Sequence, residues 1–139
     1  MNLQPASRGM GTTVAAVLLH GDGLAVINVG DSPVLEPVDE RLVQFTTDDV
    51  DARHGLVGIR PSAVTQGLGG GLALRQIEPH LYEDQVAQHR RLLLCTDGLT
   101  NFVAREHIAG AMLHDHPRQA VEVLLSLALG LLKPGDQTT

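Results

Sequence analysis

Three aspartates stand beside a glycine just beyond an apolar run. They are Asp31 in Val29-Gly30-Asp31-Ser32, Asp97 in Cys95-Thr96-Asp97-Gly98, and Asp136 in Pro134-Gly135-Asp136-Gln137. Taken singly, each reads as a turn residue, because Asp and Gly both suit tight turns. Taken together, they put carboxylates at the ends of buried elements, where they could converge on one rim of a sheet. Carboxylate oxygen with no accompanying His or Cys is the ligand set of hard cations such as Mg²⁺, Mn²⁺ or Ca²⁺. Spacing alone leaves convergence open.

Other residues invite chemistry less strongly. The chain has seven histidines, and His114-Asp115-His116 is the best-spaced group for a metal. It falls just before Pro117, where a solvated loop with Asp115 or His116 as helix N-cap explains it more simply. His54, His80, His89 and His107 have no partner at a ligand spacing and are expected to be exposed. Cys95 ends an apolar run and reads as a small buried residue rather than a reactive thiol. Gly67-Leu68-Gly69-Gly70-Gly71 could cradle a phosphate, but no helix follows it, so a dinucleotide site is disfavoured. Arg90-Arg91 reads as a solvated strand entrance.

The elements that must position these groups follow from local pattern. Residues 12–19 and 24–29 are β-branched-rich runs around Gly21-Asp22-Gly23, which predicts a hairpin. Both runs are apolar at nearly every position, which predicts cover on both faces. A third strand is expected at 41–46 after a turn at 36–40, then a long loop from 47 to 71 and an edge strand at 73–78. Residues 90–95 read as the clearest buried strand. Ala104, Ile108, Ala111 and Met112 recur at helical spacing, and Pro117 opens a second helix through Leu132 that is apolar almost all round. Strands first and helices last indicate an α+β fold.

With 139 residues the chain is expected to form one domain over 1–139, residues 1–8 being disordered. Ten basic against 16 acidic residues give −6, which argues against nucleic acid or an anionic membrane as partner. The longest apolar run, 123–132, is too short to span a bilayer, and residues 1–8 lack a secretory apolar stretch. One cysteine excludes an internal disulfide. A cytoplasmic protein is the expectation.

Five blocks in order carry a resemblance. They are Gly9-Met10-Gly11-Thr12-Thr13, Asn28-Val29-Gly30-Asp31-Ser32, Val64-Thr65-Gln66-Gly67-Leu68-Gly69-Gly70, Leu92-Leu93-Leu94-Cys95-Thr96-Asp97-Gly98-Leu99-Thr100 and the terminal Gly135-Asp136-Gln137-Thr138-Thr139. Together they resemble the bacterial form of the metal-dependent protein Ser/Thr phosphatases of type 2C, the PPM family. The resemblance runs from Gly9 onward and implies an incomplete four-layer α/β/β/α sandwich of antiparallel sheets. It implies that Asp97 and Asp136 ligate two catalytic divalent metals, Mn²⁺ or Mg²⁺, and that Asp31 serves a weaker third. Residues 47–71 match the family's flap. Activity would be hydrolysis of phosphoserine and phosphothreonine by metal-activated water, with no protein nucleophile. Partners would be phosphoproteins made by a Ser/Thr kinase.

The chain also departs from the pattern. The N-terminal Asp-Gly motif and the phosphate-holding Arg of the family have no counterpart in residues 1–8. Pro33 stands where the family usually has Arg, and Asn101 where it usually has a second Asp. A domain lacking its N-terminal strands would expose apolar surface and self-associate. Two functions are therefore carried forward, a metal-dependent protein phosphatase and a catalytically silent phosphatase-like module that binds a phosphoprotein or regulatory partner. A degraded gene fragment is a third, blander possibility.

Overall fold

A computed structural model describes residues 9–51, 63–70, 76–89 and 91–133. In chain order these hold β1 (Gly11–Thr12), β2 (Val14–His20), β3 (Gly23–Val29), β4 (Val34–Val38), β5 (Arg41–Gln44), β6 (Leu68–Gly69), β7 (His80–Gln85) and β8 (Leu93–Leu94). The helices are α1 (Asp97–Thr100), α2 (Arg105–Met112) and α3 (Pro117–Ala128). Two three-stranded antiparallel sheets, ordered β2-β3-β7 and β5-β4-β8, form the body, and β1 pairs with β6 in a small ribbon. This is the α+β, antiparallel-sheet architecture expected.

The β2–β3 hairpin forms as its sequence predicts. His20 pairs with Gly23, and Gly21 takes a positive φ of 57° in the two-residue turn. The strand expected at 41–46 is present as β5, but sequence pattern missed the strand before it. Residues 36–40 are not a turn: β4 runs through Pro37, and the turn is Asp39-Glu40, both at positive φ. A two-residue turn makes Val38 and Arg41 a hydrogen-bonded pair, so the nitrogen of Pro37 faces away from β5. On that side β8 reaches only Val34 and Leu35, so no ladder bond is lost at Pro37. The buried strand expected at 90–95 shrinks to Leu93–Leu94, with Leu94 exposed and Arg90 outside the described residues. Of the edge strand expected at 73–78, residues 73–75 lie outside the described residues and 76–78 are not extended into a sheet; the strand begins at His80.

Among the described residues, the helices pack on the β5-β4-β8 sheet. α2 packs on β5 and β4, and its Ile108, Ala111 and Met112 join Val103 and Leu124 in a core that Leu42 and Leu93 close from the sheet side. α3 is not deeply packed along its length: Ala120 and Leu124 are buried, whereas Val121 and Leu125 are exposed, and the helix ends at Ala128 rather than Leu132, with Leu129 and Leu131 exposed beyond it. Arg91 caps the C-terminal end of α2, donating to the carbonyls of Met112, His114 and Asp115. The His114–His116 segment is thus a loop, with His116 as N-cap residue of α3.

Contrary to the two-sided cover its sequence suggests, one face of the β2-β3-β7 sheet carries exposed apolar side chains. Register places Ile27 beside Leu81, with Leu18 two positions along on the same face. Leu18 is 61% exposed and Leu81 60%. An apolar sheet face of this kind drives association. The chain is therefore expected to show concentration-dependent sedimentation, relieved by the pair Leu18→Glu and Leu81→Lys. A monodisperse monomer across a broad concentration range would overturn this.

The two sheets meet through Phe45 and Tyr82, whose ring centroids lie 5.0 Å apart, and through a buried polar bridge. His89, not exposed as its lone position suggests, sits between the sheets with Nδ1 2.7 Å from Glu36 Oε2 of β4. Its Nε2 lies 3.3 Å from Asp84 Oδ2 of β7, an ion-pair contact without hydrogen-bond alignment. Tyr82 donates its hydroxyl to the same carboxylate at 2.7 Å. The hydrogen bond to Glu36, then its charge and that of Asp84, raise the imidazole above its ordinary value despite burial. A raised folded-state value means this stabilisation is full below about pH 6.5 and is lost as pH rises through the folded value. Asp84, held low chiefly by Tyr82, acts only in the acid range below that window. The melting temperature is expected to fall as pH is raised from that point, and His89→Gln to flatten the slope. Equal slopes in both proteins would discard the bridge as a pH-dependent element.

Candidate functional site

The end of β3 is where the first sequence-singled aspartate is set. Gly30 follows β3 at φ +100°, and a Cβ there would lie 2.4 Å from Thr13 Cγ2, so only glycine passes. Ser32 exchanges a 2.6 Å hydrogen bond with the same Thr13. Buried Asn28 donates to Thr47 O at 2.6 Å and to Gly30 O at 3.3 Å, and accepts from Thr47 N. These bonds lace the turn after β3 to the segment after β5.

Asp97 reaches the same end of the sandwich by another route. Val34 pairs with Leu94, and Cys95 N donates to Pro33 O at 3.3 Å, so residues 95–97 run beside residues 31–33. Asp97 is the first residue of α1, and Asn101 Nδ2 donates to its Oδ2 at 3.2 Å. Burial of the Cys95 thiol pushes it up to about 11, which fits an inert side chain.

Electrostatics register the convergence. The carboxyl of Asp31 is raised, first by burial and next by the charge of Asp97, with Asp48 adding to it. Asp48 was hidden in what the sequence presents as a long loop. Its carboxyl is also raised, chiefly by burial, against the hydrogen bond from Gln44 Nε2 at 2.8 Å and the charge of Arg105. The only sequence signal for it is the acidic pair Asp48-Asp49 directly after a strand. Like charges held together in this way are relieved by a cation. Asp136 lies outside the described residues. Among the described residues, no three His, Cys, Asp or Glu side chains stand in an arrangement that holds a metal ion.

A second cluster lies behind the first. Asp49 is buried and accepts from Gly30 N, Gln66 Nε2 and His80 Nε2. His80, expected to be free of partners, is thus engaged, and the 63–70 stretch of the flap-like segment is tied back to the sheet.

Comparison with known proteins finds bacterial Ser/Thr phosphatases. The chain is 31% identical over 137 residues to the serine/threonine protein phosphatase PstP of Mycobacterium tuberculosis, covering 93% of this chain and 26% of the relative. The crystal structure of that phosphatase superposes at a TM-score of 0.73 with 30% identity, over 91% of this chain and 57% of that one. Over about nine-tenths of its length the chain is homologous to PPM-type Ser/Thr phosphatases. A crystal structure of the PstP catalytic domain in complex with two manganese ions matches at a TM-score of 0.69 and 28% identity, over 88% of this chain and 54% of that one. The phosphatase Stp1 of Staphylococcus aureus matches at 0.74 and 25% identity, over 88% and 52%. No protein-family model matches the chain. It spans about a quarter of the length of the curated relatives, and just over half of the solved domains. The family match accords with the order of the blocks from Gly9 to Thr100.

Proposed function

We propose that this chain is the larger C-terminal part of a metal-dependent protein Ser/Thr phosphatase domain, acting on phosphoserine and phosphothreonine of proteins. The observation that carries this is that the pairing of β4 with β8 sets residues 95–97 beside residues 31–33 at one end of the sandwich, where burial first and the charge of Asp97 next raise the Asp31 carboxyl. Asp31 and Asp97 supply carboxylate oxygen of the kind that suits Mn²⁺ or Mg²⁺, and the family resemblance supplies a further ligand at Asp136. The manganese-bound PstP domain supports the same ion class. Bound there, divalent ions would lower the pKa of water and neutralise phosphoryl oxygens.

The chain's own residues prepare that site. Gly30 and Thr13 fix the turn that carries Asp31. Asn28 keeps the segment bearing Asp48 against that turn. Asn101 orients the Asp97 carboxylate without adding charge. Ser32 and Cys95 are given no catalytic part, since the first is paired with Thr13 and the second is held as a thiol. Substrates would be phosphoproteins made by a Ser/Thr kinase, in a cytoplasmic signalling role. Among the described residues no helix is long and apolar enough to cross a membrane.

A second function is favoured by one feature. Asn101, where the family usually has Asp, gives Asp97 a neutral partner and fits a phosphatase-like module that binds without turnover. Hydrolysis of a phosphothreonine peptide by the purified chain across a Mn²⁺ titration separates the two. Metal-dependent turnover is the expected result. A folded, soluble chain with no turnover at any Mn²⁺ concentration leaves the binding module in possession.

A further inference from the structure

Asp49 joins several parts of the fold through one buried carboxylate. Its side chain is 7% exposed. Oδ2 accepts from Gly30 N at 2.8 Å, while Oδ1 accepts from Gln66 Nε2 at 2.9 Å and meets His80 Nε2 at 2.7 Å. Its backbone repeats the connection: Asp49 N donates to Gly30 O at 3.0 Å, and Thr65 N donates to Asp49 O at 2.8 Å. Gln66 then fastens to Glu78, accepting from its N–H at 2.9 Å. Three stretches far apart in sequence thus meet on one buried carboxylate: the turn after β3, the segment before β6, and the start of β7. Burial alone would raise that carboxyl, but the bonds from Gly30, His80 and Gln66 outweigh it and hold it below the ordinary range. Gly30 immediately precedes Asp31, so Asp49 grips both the N–H and the carbonyl of the residue from which the Asp31 turn begins.

We propose that Asp49 is the positioning residue of the Asp31 turn, and that through Gln66 it couples the flap-side segment at residues 63–66 to the placement of the Asp31 carboxylate. The proposal rests on the assignment of Asp31 as a metal ligand. Asp49 touches neither metal nor substrate in this scheme; it acts by fixing the backbone from which Asp31 projects. Groups that orient a metal ligand without touching the ion tune affinity in this way.

The test follows backbone amide chemical shifts in the full chain as Mg²⁺ alone is added. In the unsubstituted protein, amides of residues 30–32 and 96–98 shift as the ion binds. Asp49→Asn is close in shape, yet its one carbonyl oxygen cannot serve Gly30, Gln66 and His80 together. It is expected to raise the Mg²⁺ concentration for the half-maximal response at residues 30–32 about tenfold, and to leave the midpoint at residues 96–98 where it was. Asp49→Glu, which restores a carboxylate, should recover part of the difference. An unchanged midpoint at 30–32, or an equal displacement of both midpoints, overturns the positioning role. Asp31→Asn is the control for the underlying assignment. If it leaves the response at 30–32 untouched, Asp31 is no ligand and the proposal falls with that assignment; if it abolishes that response while Asp49→Asn does nothing, only the positioning role falls.

Discussion

Replacing Asp97 by asparagine is expected to cut Mn²⁺-dependent hydrolysis of a phosphothreonine peptide by at least about 100-fold, equivalent to roughly 2.7 kcal/mol of transition-state stabilisation. The substitution keeps size and shape, and the amide oxygen it introduces can still accept the hydrogen bond from Asn101 that Asp97 accepts at 3.2 Å. What it removes is the charge, which is what a hard cation binds. Asp97 is only partly buried at the start of a one-turn helix, so folding should be almost unaffected, within about 0.5 kcal/mol. Rate and stability are thereby separated. Steady-state hydrolysis against Mn²⁺ concentration, with circular dichroism melts of both proteins, is the measurement. Retention of more than a tenth of the activity would remove Asp97 from the metal site.

Ile108→Ala is expected to have the largest effect on stability. Ile108 is 0% exposed at the centre of the α2 face that packs on β5. Around it stand Val103, Ala111, Met112 and Leu124, with Leu42 and Leu93 from the sheet below. Deleting buried methylenes loses transfer free energy and leaves a cavity, costing about 2–5 kcal/mol. Whole-domain stabilities are only about 5–15 kcal/mol. Urea midpoints should fall accordingly. Leu129→Ala, at a site 70% exposed, serves as the matched control and should move stability by no more than about 0.5 kcal/mol. Similar costs at both positions would mean that α3 is buried in solution, against a partner or a second copy.

Those two expectations differ in how far the sequence anticipates them. Asp97 is legible without coordinates, because a polar Thr-Asp-Gly breaks an apolar run and the surrounding block resembles a known family. Ile108 is legible as one of four apolar positions at helical spacing. The hairpin around Gly21-Asp22 is legible for the same reason: turn chemistry and strand pattern are properties of neighbouring residues. Pro37 shows the limit. A proline inside a short apolar segment argues for a turn, and only the short reach of β8 makes it tolerable in β4.

The polar contacts that organise the site were beyond local pattern. Asp49 meets His80 across 31 positions, and His89 meets Glu36 across 53. No spacing rule links residues so far apart, since the pairing depends on which strands become neighbours and in what register. Apolar α3 and the β2–β3 hairpin misled for a related reason: hydrophobic composition tells what burial would favour, whereas actual cover depends on what packs there. From the sequence alone came the elements built by local preference, and the aspartates at their ends. Tertiary structure decided that residues 31–33 run beside residues 95–97, and that Asp49 holds the turn, because sheet pairing brings together groups whose separation along the chain carries no trace of their contact.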